Sequence, residues 1–104
     1  MYNYDSPKTI EVDMVSLDKH LAAENLPEAD GMVMDIEGAE YEALIGAKSI
    51  ISRSKPNLAI CVYHAVNHIW DIPILLKKLN PEYKLFLKSG NIFGMNTVLY
   101  ATNK

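Results

Sequence analysis

Two short segments of the chain carry the residues most suited to chemistry. In Met32-Val33-Met34-Asp35-Ile36-Glu37-Gly38-Ala39-Glu40 an apolar run passes directly into carboxylates and a glycine, and in Leu58-Ala59-Ile60-Cys61-Val62-Tyr63-His64 a second apolar run ends in an imidazole. Asp35 stands where a buried strand gives way to a loop, so its carboxylate can be partly desolvated and still face a ligand, orienting a cationic or hydroxyl-bearing group. The bland alternative is a carboxylate that accepts backbone N–H groups and shapes the turn. Glu37 divides evenly between capping and ligand contact, and Gly38 permits a backbone angle or close approach that a side chain forbids. Glu40 and Glu42 fall in the first helical turn, where the helix dipole favours negative charge and accounts for both.

His64 has the chemistry of a general base or a metal ligand. Taken alone it is more often a hydrogen-bonded structural residue, and its expected nearness to Asp35 is what raises it to a candidate. His68 and Trp70 fall in the loop that follows, where they could line a pocket, while His20 lies on the solvent side of a short helix. Asp35, Glu37 and His64 offer donors that suit several divalent ions, but their spacing is not a metal signature, and no metal is assigned. Nothing resembles a Ser-His-Asp order, a Cys-x-x-Cys pair or a Walker loop, so hydrolysis through a nucleophile and phosphate cradling have no direct support.

The elements that must position these residues follow from periodicity. Ile10 to Val15 alternates weakly, and Ser16 caps a short helix with Leu17 and Leu21 on one face. Gly31 to Ile36 reads as a strand buried on both faces, because its side chains are apolar in succession rather than alternately. From Ala39 to about Ser52, Tyr41, Leu44, Ala47 and Ile51 form one stripe with Ala43 and Ile50 beside it, the pattern of an amphipathic helix. Gly46 within it costs about 1 kcal/mol relative to alanine, which points to close approach to the sheet. After Pro56, Leu58 to Tyr63 is a second buried strand. Asp71 caps a further helix with Pro73 in its first turn and Ile74, Leu75, Leu76 and Leu79 on the buried side. Tyr83 to Lys88 and Thr97 to Thr102 complete the series as an antiparallel pair.

Two apolar strands joined by a helix should be parallel, and the final pair adds an antiparallel edge to a mixed sheet, so the expected class is α/β. Ligands bind such sheets outside the carboxyl ends of the strands, which puts Asp35, Glu37 and His64 on one rim.

Composition narrows the partners. The 104 residues are enough for one domain with one core, and a hydrophobic fraction of 49% with 22% charged residues is ordinary for a globular chain. A formal charge of −3 and a single arginine, Arg53, argue against a nucleic-acid partner. Lys77, Lys78, Lys84 and Lys88 read as a solvated face. No segment has the length of a membrane span or the form of a signal peptide, and lone Cys61 sits in an apolar run as inert core, so the expected setting is reducing and cytoplasmic.

Several of these features occur together in one family. Ser16-Leu17-Asp18, Met34-Asp35-Ile36-Glu37-Gly38-Ala39-Glu40, Leu44 with Gly46-Ala47, Lys55-Pro56 before a strand ending in His64, and Thr97-Val98-Leu99-Tyr100-Ala101 resemble the C-terminal half of FkbM-type S-adenosylmethionine-dependent methyltransferases. The resemblance implies a Rossmann-like methyltransferase fold, here partial, with residues 1–104 as the C-terminal portion of its catalytic domain. It implies S-adenosylmethionine as cofactor and transfer to a hydroxyl of a sugar, glycan or natural-product acceptor. Asp35, Glu37 and Gly38 would then lie at the cofactor, with Asp35 and His64 as catalytic groups. The family's glycine-rich loop has no counterpart before Asp30, so this chain by itself is expected to bind cofactor weakly and to be inactive. The apolar strand from Met32 to Ile36 would have an open edge that invites self-association. A non-enzymatic interaction module built on that edge, and a small metal-dependent hydrolase, are the competing expectations.

Overall fold

A computed structural model describes residues 14–25, 28–89 and 97–103. The elements are α1 (Leu17–Ala23), β1 (Gly31–Met34), α2 (Glu40–Ile45), α3 (Lys48–Ser54), β2 (Asn57–Cys61), α4 (His68–Leu79), β3 (Lys84–Lys88) and β4 (Val98–Thr102). They form the expected mixed α/β architecture: one four-stranded sheet in the order β1-β2-β4-β3, with β1 and β2 parallel and β4 antiparallel to both β2 and β3. The weakly alternating segment from Ile10 to Val15 lies largely outside the described residues; Met14 and Val15 are described, exposed and not in a strand. The loop expected around Gly90, Asn91 and Gly94 also lies outside them. Among the described residues no helix is long and apolar enough to cross a membrane.

The core lies on one face of the sheet. Leu58 and Ile60 of β2 and Leu99 and Ala101 of β4 are buried together with Leu44 of α2, Ile50 and Ile51 of α3, and Ile72, Leu75 and Leu76 of α4, while Met32, Met34 and Leu85 pack at the margin. The opposite face presents Val33, Ala59, Tyr100 and Phe86 in one row, since these four are register partners across the sheet. Val33 is 83% exposed, and Tyr100 and Phe86 are also exposed. This corrects the expectation that the first apolar strand is buried on both faces. A continuous apolar run does mark a strand meant to be covered twice, but the described residues supply only one covering layer.

The expected single helix from Ala39 to Ser52 is broken at Gly46-Ala47 into α2 and α3, although its buried stripe survives across the break. The cause is α1. Ser16 caps that helix by accepting the Lys19 N–H at 3.2 Å, and Asp18 in its first turn accepts the Ser49 and Ile50 N–H groups at 2.8 and 2.9 Å, so a long-range carboxylate starts α3 afresh. The Asp18 N–H donates in return to the Gly46 carbonyl at 2.9 Å. A Cβ at Gly46 would stand 3.3 Å from the Ser16 Cβ, so the close approach is to the start of α1 rather than to the sheet.

α4 begins at His68, three residues before the expected cap, so Asp71 stands in its first turn and Pro73 lies within the helix. The His68 side chain is buried in that first turn, and the Asn67 side chain donates to Asp71 at 2.8 Å. Ile74, expected on the buried side, is exposed, and Ile72 takes its place. Tyr83 is fully buried, and its hydroxyl donates to the Pro56 carbonyl, tying the entry of β3 to the entry of β2. Burial pushes its phenol up to about 12.

Candidate active site

The carboxyl ends of β1 and β2 lie side by side because the parallel register pairs Met34 with Ile60. The turn after β1 and the loop after β2 therefore meet. His64, with only 11% of its side chain exposed, is the meeting point. Its Nε2 lies 3.5 Å from Asp35 Oδ1 and 3.4 Å from Glu37 Oε2, and its Nδ1 lies 3.2 Å from Glu40 Oε2. The Tyr63 ring packs against the imidazole with centroids 4.2 Å apart. The structure thus brings Asp35, Glu37 and His64 onto one rim, with Asp35 and Glu37 exposed and the ring between them.

The residue that sequence reasoning passed over is Glu40. The dipole of α2 accounts for a first-turn carboxylate without giving it any further role, but the Glu40 side chain is fully buried. Its Oε2 accepts the Ile36 N–H at 2.8 Å and its Oε1 accepts the Gly38 N–H at 3.0 Å. The turn explains why. Glu37 has φ 57° and Gly38 has φ 101°, both left-handed, which turns successive N–H groups inward toward a common point that needs an acceptor. A carboxylate two residues beyond the glycine is the nearest one. That spacing, Glu-Gly followed two residues later by Glu, was the signal available in the sequence. Burial raises the Glu40 carboxyl, but the N–H groups of Ile36, Glu40 itself and Gly38, with the neighbouring His64 imidazole, outweigh it and leave the carboxyl below its ordinary range.

His68 and Trp70 do not sit in a loop but in the first turn of α4. Trp70 is exposed, whereas His68 is buried with its Nδ1 3.8 Å from Glu40 Oε1 and without a hydrogen-bond partner. Cys61 is half-buried rather than core; burial first, then the charges of Asp35 and Glu40, hold its thiol above the usual range. Tyr63 is pushed up by desolvation and then by the charge of Asp35, and keeps its phenolic proton.

Asp35, Glu40 and His64 each offer one ligand atom within 4.8 Å of the others. Both Glu40 oxygens already accept backbone N–H groups, so a cation there would compete with bonds that shape the turn. What the arrangement does offer is three carboxylates around one imidazole, a negative rim suited to a positively charged group and to a hydroxyl that must lose its proton. Beside it an apolar hollow of about 650 Å³ opens between Met14, Leu17, Met34, Ile36, Ala39 and Ala43.

Carboxylates and an imidazole thus stand at the carboxyl ends of two parallel strands, the edge at which α/β sheets bind ligands. The chain belongs to the FkbM methyltransferase domain family, whose model matches residues 2–89. It is also similar to the crystal structure of methyltransferase FkbM from Methylobacillus flagellatus KT, at 32% sequence identity and a TM-score of 0.67. The match covers 76% of this chain and 22% of that one, so the chain spans about a fifth of the length of that protein. No curated protein matches the chain.

Proposed function

We propose that this chain forms the donor–acceptor rim of an S-adenosylmethionine-dependent O-methyltransferase acting on a hydroxyl of a sugar or natural-product-like acceptor. The observation that carries this reading is the His64 imidazole held between Asp35 and Glu37 at the ends of β1 and β2 in a chain of the FkbM family. The donor set fits the group. Asp35 and Glu37 put negative charge where a sulfonium cation is favoured, and their oxygens accept from hydroxyls. Gly38 leaves the turn without a side chain toward His64.

S-adenosylmethionine, when bound, supplies an electrophilic methyl group. His64 Nε2 takes the proton of the acceptor hydroxyl, so that an oxygen with alkoxide character is available for attack, and Asp35 orients that hydroxyl. The chain has no Gly-x-Gly segment before Asp30. We assign the remaining cofactor contacts to the rest of a catalytic domain, packed over the row Val33, Ala59, Tyr100 and Phe86 and beyond β1. A parallel pair is ordinarily covered on both faces, and about four-fifths of the matched FkbM protein lies outside the match. The unpaired Cys61 fits a reducing, cytoplasmic setting.

Calorimetric titration with S-adenosylmethionine tests the reading. This chain by itself should give little heat, the chain completed by the upstream strands of an FkbM-type domain should bind, and Asp35→Ala should abolish that binding. Normal binding by the completed Asp35→Ala protein overturns the assignment of Asp35.

The uncovered face also supports a second reading, an interaction module that pairs with another copy of itself through β1 and the adjoining apolar row. Sedimentation separates the two, because a concentration-independent monomer removes the basis for self-association.

A further inference from the structure

Glu40 contacts neither the solvent nor the open side of the rim, yet it touches the ring that does. Its Oε2 lies 3.2 Å from His64 Nδ1 and accepts the Ile36 N–H at 2.8 Å, while Oε1 accepts the Gly38 N–H at 3.0 Å. One buried carboxylate therefore ties the turn after β1 to the loop after β2. A carboxylate can only accept. Carboxylates face both ring nitrogens, but the Nδ1 contact at 3.2 Å is the hydrogen-bonded one and goes to a buried group, whereas Asp35 and Glu37 stand 3.5 and 3.4 Å from Nε2 and are exposed to water, so Nδ1 is the nitrogen that carries the proton of the neutral ring.

We infer that Glu40 is a positioning residue for methyl transfer: it holds His64 in the Nδ1–H tautomer and leaves the Nε2 lone pair directed at the rim between Asp35 and Glu37. The inference rests on the methyltransferase reading only for its consequence, that Nε2 is free to take a proton; the tautomer itself is a property of this chain. In the free side chain the Nε2–H form is the commoner, so the protein must select the other one. The carboxylate that does so is well placed to remain charged, since two backbone N–H groups stabilise it and hold its carboxyl below its ordinary range. This is the orienting role that a buried acid plays toward a catalytic histidine on unrelated folds. Among the described residues, His68 Nδ1 lies 3.8 Å from the other Glu40 oxygen, and the charge of Glu40 also reaches Cys61 and Tyr63.

Long-range ¹H–¹⁵N NMR of the imidazole nitrogens in this chain at pH 8, with no methyl donor added, reads the tautomer directly. The expected result is a protonated Nδ1 and an unprotonated Nε2 at His64, unchanged in Asp35→Asn and Glu37→Gln and displaced toward Nε2–H in Glu40→Gln. A wild-type spectrum showing Nε2–H, or an imidazolium protonated on both nitrogens, overturns the inference without any variant having to fold. A folded Glu40→Gln protein that keeps the wild-type tautomer also overturns it. Because no donor or acceptor enters the experiment, failure of the methyltransferase reading would show in the calorimetry and not here.

Discussion

The rim at the ends of β1 and β2 and the uncovered face of the same sheet are built from adjoining residues and could hardly differ more. At the rim, Ile36, Gly38, Glu40 and His64 are joined by bonds of 2.8 to 3.2 Å around a carboxylate with no exposed surface. On the face, Val33, Tyr100 and Phe86 present apolar surface to the outside. Val33 stands only two residues before Asp35. The difference teaches that the described residues complete a polar cluster but not the apolar packing of the sheet: the hydrogen bonds close within two neighbouring connections, whereas covering a sheet takes a whole second layer.

The contrast can be broken most sharply at Glu40. Glu40→Ala leaves two inward N–H groups and a buried ring nitrogen without an acceptor, and should cost about 3–5 kcal/mol; a loss under about 1 kcal/mol by urea denaturation would mean that the turn does not depend on it. The same residue sets an acid dependence. Its folded-state carboxyl is lowered, so its contribution is fully present above the unfolded value of about 4.3 and is lost as pH falls through the lower folded value. In Glu40→Gln that part of the acid transition should vanish.

A smaller effect of opposite sign is expected at Glu37, whose φ of 57° carries left-handed strain. Glu37→Gly removes a cost of about 1–2 kcal/mol and adds chain entropy worth about 0.5–1 kcal/mol. The net should be a gain of about 0.5–1 kcal/mol, the difference of those two terms. A variant that is destabilised instead would show the Glu37 carboxylate to be part of the bonded rim rather than a group held at its edge.

The smallest effect should come from the bare face. Val33→Ser should change the stability of this chain by no more than about 0.5 kcal/mol, while reducing any association seen by sedimentation. A cost above about 1 kcal/mol would show that the face is packed within this chain, and the contrast would fail.

Much of the rim was legible before the fold was known. The abrupt passage from apolar side chains to Asp35 marked a strand end, His64 marked another, and the parallel pairing of two apolar strands brought the ends together, as the observed Met34–Ile60 register does. Glu40 was misread because helix position alone explains a first-turn carboxylate, and only the left-handed angles at Glu37 and Gly38 show that the turn demands an acceptor. The break between α2 and α3 was invisible for a similar reason. The buried stripe from Leu44 to Ile51 is continuous in the sequence, and the carboxylate that restarts the helix, Asp18, lies about thirty residues away.

By itself, the sequence determined the succession of strands and helices apart from the break at Gly46-Ala47 and the start of α4, that they form a mixed α/β sheet, and that Asp35, Glu37 and His64 share one rim, because periodicity is a local property of the chain and two apolar strands joined by a helix run parallel. Only the tertiary structure decided that Glu40 is buried, that Asp18 caps a distant helix, and that Val33 lies bare. Each of those depends on which groups from remote segments arrive to accept a hydrogen bond or cover a surface, and no residue carries that information in its own type.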